Sequence, residues 1–154
     1  MAIKPEQLPA QLARSLAPAY LIAGAEPLLV QECRDQVIRA AQARGFVERT
    51  VHDANARFDW HRLAEDSAAP SLFSSRKILD IRLASGKPGN EGSAALVDLV
   101  QAADPDVLVL VSAGDWSGAM RKAKWATALA AAGVLVEVWP VKPAQLPDWI
   151  RQRM

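Results

Sequence analysis

The chain has 154 residues, of which 51% are hydrophobic and 23% charged, and its 18 Lys+Arg against 17 Asp+Glu leave a net charge of +1. This length suits a single domain with one core, and the composition excludes wholesale disorder. The balanced charge excludes a strongly basic field that would by itself drive binding to nucleic acid or to a membrane. No apolar run approaches the roughly 18 residues of a membrane span and no signal-peptide pattern opens the chain, so we expect a cytoplasmic protein.

Helical and strand patterns alternate along the chain. Apolar residues spaced three and four apart predict helices, short uncharged runs at 19–23 and 107–111 predict buried strands, and alternating apolar residues predict the strand at 77–83. Pro27 suits the first position of the longest helix, and Gly45 and Gly133 are placed to end helices. In chain order the predicted elements are helix 5–17, strand 19–23, a helix from Pro27 to Gly45, strand 46–51, helix 60–69 entered through Asp59, strand 77–83, helix 93–103, strand 107–111, helix 117–132 with Ser117 as its N-cap, strand 134–138 and a helix beginning at 145.

This alternation predicts an α/β fold, a five-stranded parallel sheet with right-handed crossovers and flanking helices. Glycine and proline in residues 84–92 predict a flexible loop. Pro140 and Pro143 mark the one candidate boundary, which divides the chain into a domain at 1–140 and the start of another at 141–154. Because the second piece is too short to fold alone, we expect Met154 to be followed by more chain in a longer protein.

The loop after the first buried strand is where a sheet of this kind would bind phosphate. A phosphate-binding P-loop has the pattern GxxxxGK[ST], in which glycines let the backbone wrap the phosphates and the lysine balances their charge. Here Gly24 is followed by Glu26, which repels an anion, and by Pro27, which lacks an amide donor. The positions of the second glycine, the lysine and the hydroxyl hold Leu29, Val30 and Gln31. This degenerate loop predicts no nucleotide binding.

The other enzymatic signals are weak. Asp80 lacks a following Glu that would help it hold Mg²⁺, and its place within a strand predicts a paired surface carboxylate. His52 and His61 lie near several aspartates without a metal-ligand spacing, so we expect solvated loop residues rather than a metal or acid/base site. Cys33, the single cysteine, is expected to pack as a small core residue.

No catalytic residue, metal or cofactor is therefore predicted. The dinucleotide fingerprint GxGxxG and the hydrolase motif GxSxG are absent from the sequence. The alternative left open is a nucleotide-dependent enzyme on a P-loop-like or Rossmann-like sheet.

Two features suggest binding. Leu72 and Phe73 stand between small polar residues at a helix-to-strand junction. Core packing is the first interpretation of such a pair, and the alternative is an exposed binding anchor, which the polar flanks and Pro70 favour. The second feature is a basic cluster beside an aromatic residue, formed by Arg121, Lys122, Lys124 and Trp125. It predicts either a solvated helix face or a contact with phosphates or an acidic partner.

Four stretches together resemble the delta subunit of bacterial DNA polymerase III, the clamp-opening arm of the clamp loader. They occur in the family's order and run from residue 19 to residue 150. The stretches are AYLIAGAEPLL at 19–29, PSLFSSRK at 70–77, the helix segment from Trp125 to Leu129, and QLPDWI at 145–150. The resemblance covers essentially the whole chain, which would correspond to the N-terminal third to half of a full subunit.

The resemblance implies a P-loop NTPase or AAA+-like domain that has lost ATP binding, in agreement with the degenerate loop. It also implies that residues from 141 begin a helical lid domain and that a C-terminal collar is missing. The collar would join this arm to the other clamp-loader subunits, delta prime and gamma/tau, which hydrolyse ATP. DNA would be contacted by the assembled loader, a part of the DNA-directed DNA polymerase holoenzyme, and this subunit would have no activity of its own.

The resemblance also assigns the Leu-Phe pair. In this family such a pair on a projecting element inserts into a hydrophobic pocket of the sliding clamp, the beta subunit, and Leu72 and Phe73 match it position by position. Ser71, Ser74 and Arg76 are expected to form the rim of this contact. The expected function is to bind and open the clamp during DNA replication.

Overall fold

A six-stranded sheet forms the centre of the molecule. The computed structural model describes residues 2–24, 26–53, 60, 65, 76–83, 89–102, 106–114, 120 and 122–138. The strands are β1 (Ala2–Ile3), β2 (Ala19–Gly24), β3 (Phe46–Asp53), β4 (Arg76–Leu83), β5 (Val107–Ala113) and β6 (Val134–Val138). A short 3-10 helix (Pro5–Gln7) precedes α1 (Leu8–Arg14), and the longer helices are α2 (Pro27–Gln42), α3 (Gly89–Gln101) and α4 (Lys124–Ala132).

The strands pair in the order β1-β6-β2-β5-β4-β3, and every pairing between them is parallel. The predicted α/β class and parallel sheet are confirmed, but the strand count is six rather than five. The missed strand is β1, in which Ala2 and Ile3 pair with Leu135 and Val136. Two residues are too few to show a strand period, so only the tertiary pairing defines this strand.

Helix boundaries differ from the predictions at three places. The first predicted helix is a 3-10 turn followed by α1, which ends at Arg14. Helix α3 begins at Gly89, within the predicted loop, because packing of residues such as Leu96 against the sheet overrides the low helix propensity of glycine. Helix α4 begins only at Lys124, since Ala123 has an extended backbone with ψ 148°.

Two hydrophobic layers cover the sheet, one on each face. Helices α1 and α2 pack on the face that contains Tyr20, Ile22 and Leu110. Helices α3 and α4, with Trp60, pack on the opposite face against residues such as Leu79 and Val111. Strands β2, β5 and β6 are buried along their full length, as the uncharged runs of β2 and β5 predict, and β6 buries Glu137 as well.

The glycines that were predicted to end helices do so for different reasons. Gly45 has a φ of +96°, a conformation that residues with a Cβ rarely adopt. At Gly133, a Cβ would lie 1.8 Å from the carbonyl oxygen of Ala19, so the close approach of α4 to β2 requires a glycine. Pro27 is the first residue of α2, as predicted.

The described helices include none that is long and apolar enough to span a membrane. The predicted boundary at 140 and the predicted helix at 145 lie outside the described residues.

Candidate functional site

The strand order places β2 beside β5 in the middle of the sheet. After β2 the chain crosses to β3 at one edge of the sheet, and after β5 it crosses in the opposite direction to β6. Open α/β sheets bind ligands at the carboxyl ends of strands where the chain changes direction in this way. The segment at this carboxyl edge is Gly24, Glu26 and Pro27. It is the place to test for a nucleotide site.

Gly24 serves packing rather than phosphate binding. A Cβ at Gly24 would lie 2.0 Å from the carbonyl oxygen of Val138, so the glycine allows β6 to approach β2 at its carboxyl end. Glu26 is the N-cap residue of α2, yet its side chain makes no capping hydrogen bond. A carboxylate therefore stands at the helix end where an anion would dock.

The first turn of α2 offers no cation to a phosphate. Pro27 lacks an amide proton, and Leu28 next to it exposes 48% of its surface. Val30, at the position of the P-loop lysine, is buried in the core below α2. The described residues from Glu26 to Val30 are therefore acidic or apolar.

Asp80 lies on β4, the strand that would carry the magnesium-binding aspartate of a nucleotide site. Its Oδ2 lies 2.6 Å from Nη2 of Arg34 on α2, 3.6 Å from Nη2 of Arg82 and 3.9 Å from Nη1 of Arg49 on β3. The predicted pairing is confirmed, but the predicted surface location is wrong, because the Asp80 side chain is fully buried between β4 and α2. A carboxylate enclosed by guanidinium groups is a poor ligand for a divalent cation.

Arg34 was not singled out from the sequence, although a signal for it exists. It lies four residues from both Val30 and Ile38, within the apolar stripe of α2. A charged residue in such a stripe predicts a buried partner of opposite charge. The identity of the partner, Asp80, depends on the sheet order and could not be predicted from spacing.

Arg76 lies at the opposite, amino edge of the sheet, as the first residue of β4. Its Nη1 donates to the carbonyl oxygen of Arg44 at 3.3 Å, and its Nε lies 3.4 Å from Oδ1 of Asp106, just before β5. Its guanidinium carbon is 5.5 Å from the centre of the Phe46 ring. Arg76 therefore connects the end of α2, the start of β3 and the start of β5.

The predicted clamp-binding residues Ser71, Leu72, Phe73 and Ser74 lie outside the described residues, and so do Arg121, Ser117 and His61. Of the predicted clamp-binding residues, the structure describes only Arg76, which follows the others in the chain. The role of the Leu-Phe pair stays a prediction.

The aromatic member of the basic cluster, Trp125, is not available for stacking on a base. Lys122 and Lys124 are exposed, whereas Trp125 is only 4% exposed and packs in the core beneath α4. A buried indole cannot stack on a base. Lys122 lies in the turn before α4 and Lys124 is the first residue of α4, so the structure places both lysines at the surface and leaves both interpretations of the cluster as predictions.

The remaining candidates for chemistry are also in the core. His52 is buried within β3, so the prediction of a solvated loop residue is wrong for it. Cys33 is buried as predicted, and burial raises the pKa of its thiol to about 12, which keeps the thiol protonated and unreactive. Within the described ranges, no group of His, Cys, Asp and Glu could hold a metal ion.

Comparison with known proteins identifies a family. Residues 20–138 match the family described as DNA polymerase III, delta subunit. The DNA polymerase III subunit delta of Escherichia coli (strain K12) is 38% identical over 149 residues, which cover 97% of this chain and 43% of that protein. The protein of the same name from Haemophilus influenzae is 29% identical over 157 residues, 98% of this chain and 44% of its own. The chain spans less than half the length of these relatives.

Solved structures share the fold. The Bacillus subtilis DNA clamp loader delta protein superposes with a TM-score of 0.72 at 16% identity, over 94% of this chain and 45% of its own. A DNA polymerase III gamma subunit-related protein from Thermotoga maritima superposes with a TM-score of 0.52 at 13% identity, over 97% of this chain and 50% of its own. On the sequence match over most of its length, the chain belongs to the DNA polymerase III delta subunit family.

Proposed function

We propose that this chain is the AAA+-like part of a clamp-loader delta subunit that binds and opens the sliding clamp during DNA replication, without binding ATP itself. Family membership over residues 20–138 supports the clamp-loader role. The loss of ATP binding is supported by the residues found at the carboxyl edge of the sheet. Glu26 and Pro27 replace the phosphate loop, and Asp80 is buried against Arg34.

Clamp binding is assigned to Leu72 and Phe73, with Ser71, Ser74 and Arg76 around them. Burying two large apolar side chains in a preformed pocket contributes about 1.5–3 kcal/mol for each side chain. A binder shifts an equilibrium only by its differential affinity for the two states. The pair opens the ring to the extent that its pocket is better formed in the open clamp.

The same proposal includes the domain division and the partners. Residues 1–140 form the clamp-binding domain, and residues 141–154 begin a helical lid. The other clamp-loader subunits, delta prime and gamma/tau, join through a collar that follows in the full subunit and supply ATP hydrolysis. DNA is contacted by the assembled loader, in the cytoplasm.

The clamp assignment is tested by titrating the chain against a purified bacterial sliding clamp. We expect Leu72→Ala with Phe73→Ala to weaken binding by about a hundredfold or more, because the pair contributes on the order of 3–6 kcal/mol. Leu28→Ala with Val47→Ala is the matched control, since both residues are large, apolar and exposed elsewhere on the surface. Unchanged affinity of the Leu72/Phe73 variant would reject the assignment.

The loss of nucleotide binding is tested separately by the intrinsic fluorescence of the five tryptophans. We expect no saturable response to ATP or NAD, because the first turn of α2 holds no cation and Asp80 is buried against Arg34 instead of facing a magnesium ion. Saturable binding in the micromolar range would favour the alternative, a nucleotide-dependent enzyme on the same fold.

A further inference from the structure

Strand β3 is the last strand in the order of the described sheet, and it pairs with β4 on one side. The other side of such a strand presents backbone N–H and C=O groups to which a further strand can bond. Arg49, Thr50 and Val51 are consecutive and all exposed, so solvent reaches this part of the edge. The side chains around it indicate what kind of molecule could bind there.

The side chains on the α2 side of this edge are mostly charged and partly apolar. The register places Val51 beside Asp80 of β4, and Asp53 beside Arg82. Alternate residues of a strand share a face, so Arg49, Val51 and Asp53 lie on the face that holds Asp80. Val51 is 39% exposed, and the side chains of Arg49 and Arg82 are 40% and 41% exposed. Two half-exposed guanidinium groups therefore lie close to an exposed valine.

Positive charge is in excess on this face. Oδ2 of Asp80 lies 2.6 Å from the guanidinium of the buried Arg34. The same oxygen is 3.6 Å from the guanidinium of Arg82 and 3.9 Å from that of Arg49. These two distances exceed those of a hydrogen bond, so both arginines have N–H donors available to another acceptor. Even with Asp53 counted, the described residues of this cluster have three guanidinium groups and two carboxylates.

We propose that this face of the β3 edge, formed by Arg49, Val51 and Arg82, binds an extended acidic segment of a partner protein. A carboxylate of the segment lies against both guanidinium groups, which approach the same oxygen of Asp80. Bonds between guanidinium and carboxylate are charge-assisted and often bidentate. An apolar residue of the segment covers Val51, and its backbone lies along residues 49–51 as an added strand.

Two observations favour a polypeptide over a nucleic acid as the occupant. Val51 offers apolar surface and the strand edge offers backbone groups, neither of which a phosphate backbone uses. Binding of nucleic acid also depends on contacts to several phosphates, whereas the chain as a whole has a net charge of only +1. A short acidic segment needs no wider positive field than these two arginines provide.

The proposal is tested by titrating the full chain with short synthetic peptides that have blocked ends, followed by amide NMR spectra of the chain. The peptide TVTETVT places a glutamate between two valines on one face of a strand. TVTKTVT reverses its charge, and TVPEPVT lacks the backbone donors beside the glutamate. We expect saturable binding of TVTETVT alone, with shifts at residues 49–51, and weaker binding as salt is added.

Variants of the chain assign the contacts. Arg49→Gln and Arg82→Gln should each weaken binding of TVTETVT about two- to fivefold, the range of an exposed ion pair. Val51→Asp should abolish binding, because it removes the apolar contact and repels the glutamate. Asp53→Asn should tighten binding about twofold, since it removes a like charge from the same face.

Arg14→Gln and Leu28→Asp are the matched controls, because they change an exposed arginine on α1 and an exposed apolar residue on α2. Both should leave the affinity for TVTETVT unchanged. Thermal unfolding should show that every variant remains folded.

Four results would overturn the proposal. The first is absence of saturable binding at millimolar TVTETVT, which would show that the charges only protect the edge. The second is equal binding of TVTKTVT or TVPEPVT, and the third is unchanged affinity of both arginine variants. The fourth is tighter binding of a thymidine oligonucleotide at the same residues, which would identify a nucleic-acid site instead.

Discussion

Two of the arginine–aspartate pairs at strand β4, Arg34–Asp80 and Arg76–Asp106, differ in almost every physical respect. Arg34 and Asp80 lie 2.6 Å apart with side chains that are 10% and 0% exposed. Arg76 and Asp106 lie 3.4 Å apart with side chains that are 50% and 67% exposed. The first pair connects a helix to the middle of the sheet, and the second connects strand ends at the edge.

Burial decides what each pair can do. Removing one partner of a buried pair leaves an uncompensated charge in the core, which is strongly destabilising. Removing one partner of an exposed pair leaves a solvated charge and changes stability little. The comparison therefore assigns domain stability to Arg34 and Asp80, and to Arg76 and Asp106 a solvated surface contact that contributes little to the free energy of unfolding.

The largest expected effect is at the buried pair. Asp80→Ala should lower the free energy of unfolding by about 3–5 kcal/mol, because Arg34 would remain buried without its carboxylate. Urea denaturation followed by circular dichroism measures this change. The combined variant Arg34→Met with Asp80→Leu should recover most of the loss. If the single variant were as stable as the original chain, the buried pair would have no special role.

An intermediate effect is expected at Tyr20, a buried polar group without charge. Its hydroxyl donates to Oε1 of Gln11 at 2.8 Å and accepts from the N–H of Ala17 at 3.0 Å. Tyr20→Phe leaves both partners unsatisfied and should cost about 1–3 kcal/mol. A cost as large as that of Asp80→Ala would show that burial, rather than charge, dominates in this core.

Tyr20 also predicts a pH dependence. Burial raises the pKa of its phenol, while the hydrogen bonds to Ala17 and Gln11 act in the opposite direction. Below about pH 10 the phenol is neutral in both states; above it the unfolded chain ionises first, so folding stability falls as the pH rises. Buried Cys33, with a raised pKa, adds to this fall. Tyr20→Phe should make the alkaline loss of stability shallower in urea titrations from about pH 8 to about pH 11.

The smallest expected effect on stability is at the exposed pair. Asp106→Ala should change the free energy of unfolding by less than about 1 kcal/mol, and added salt should reduce the difference further. The same denaturation measurement at low and high salt checks this. A loss comparable to that of Asp80→Ala would place Asp106 among the residues that hold the core and would end the contrast between the two pairs.

The predicted fold was most accurate where one pattern dominates a whole element. The uncharged runs of β2 and β5 predicted strands buried on both faces, and Pro27 and Gly45 bracketed α2. Strand β1 and the start of α3 at Gly89 were missed. Both depend on contacts with distant residues, which a local pattern does not contain.

The candidate site, like the fold, could be predicted from the sequence only in part. The loss of the phosphate loop is visible in Glu26, Pro27 and Val30, because the chemistry needs particular residue types at fixed spacing. The burial of Asp80 was not visible, since it depends on α2 packing over β4 and bringing Arg34 to the carboxylate. The engagement of Arg76 likewise depends on Asp106 lying beside it, 30 positions later in the chain.

The sequence by itself determined the α/β class, the helix stops and the absence of a phosphate loop, because each follows from side-chain chemistry within a few consecutive residues. Tertiary structure alone decided the sixth strand, the strand order and the partners of each buried charge. These features arise when strands far apart in the chain become neighbours, and only then do particular arginines and aspartates come within reach of one another.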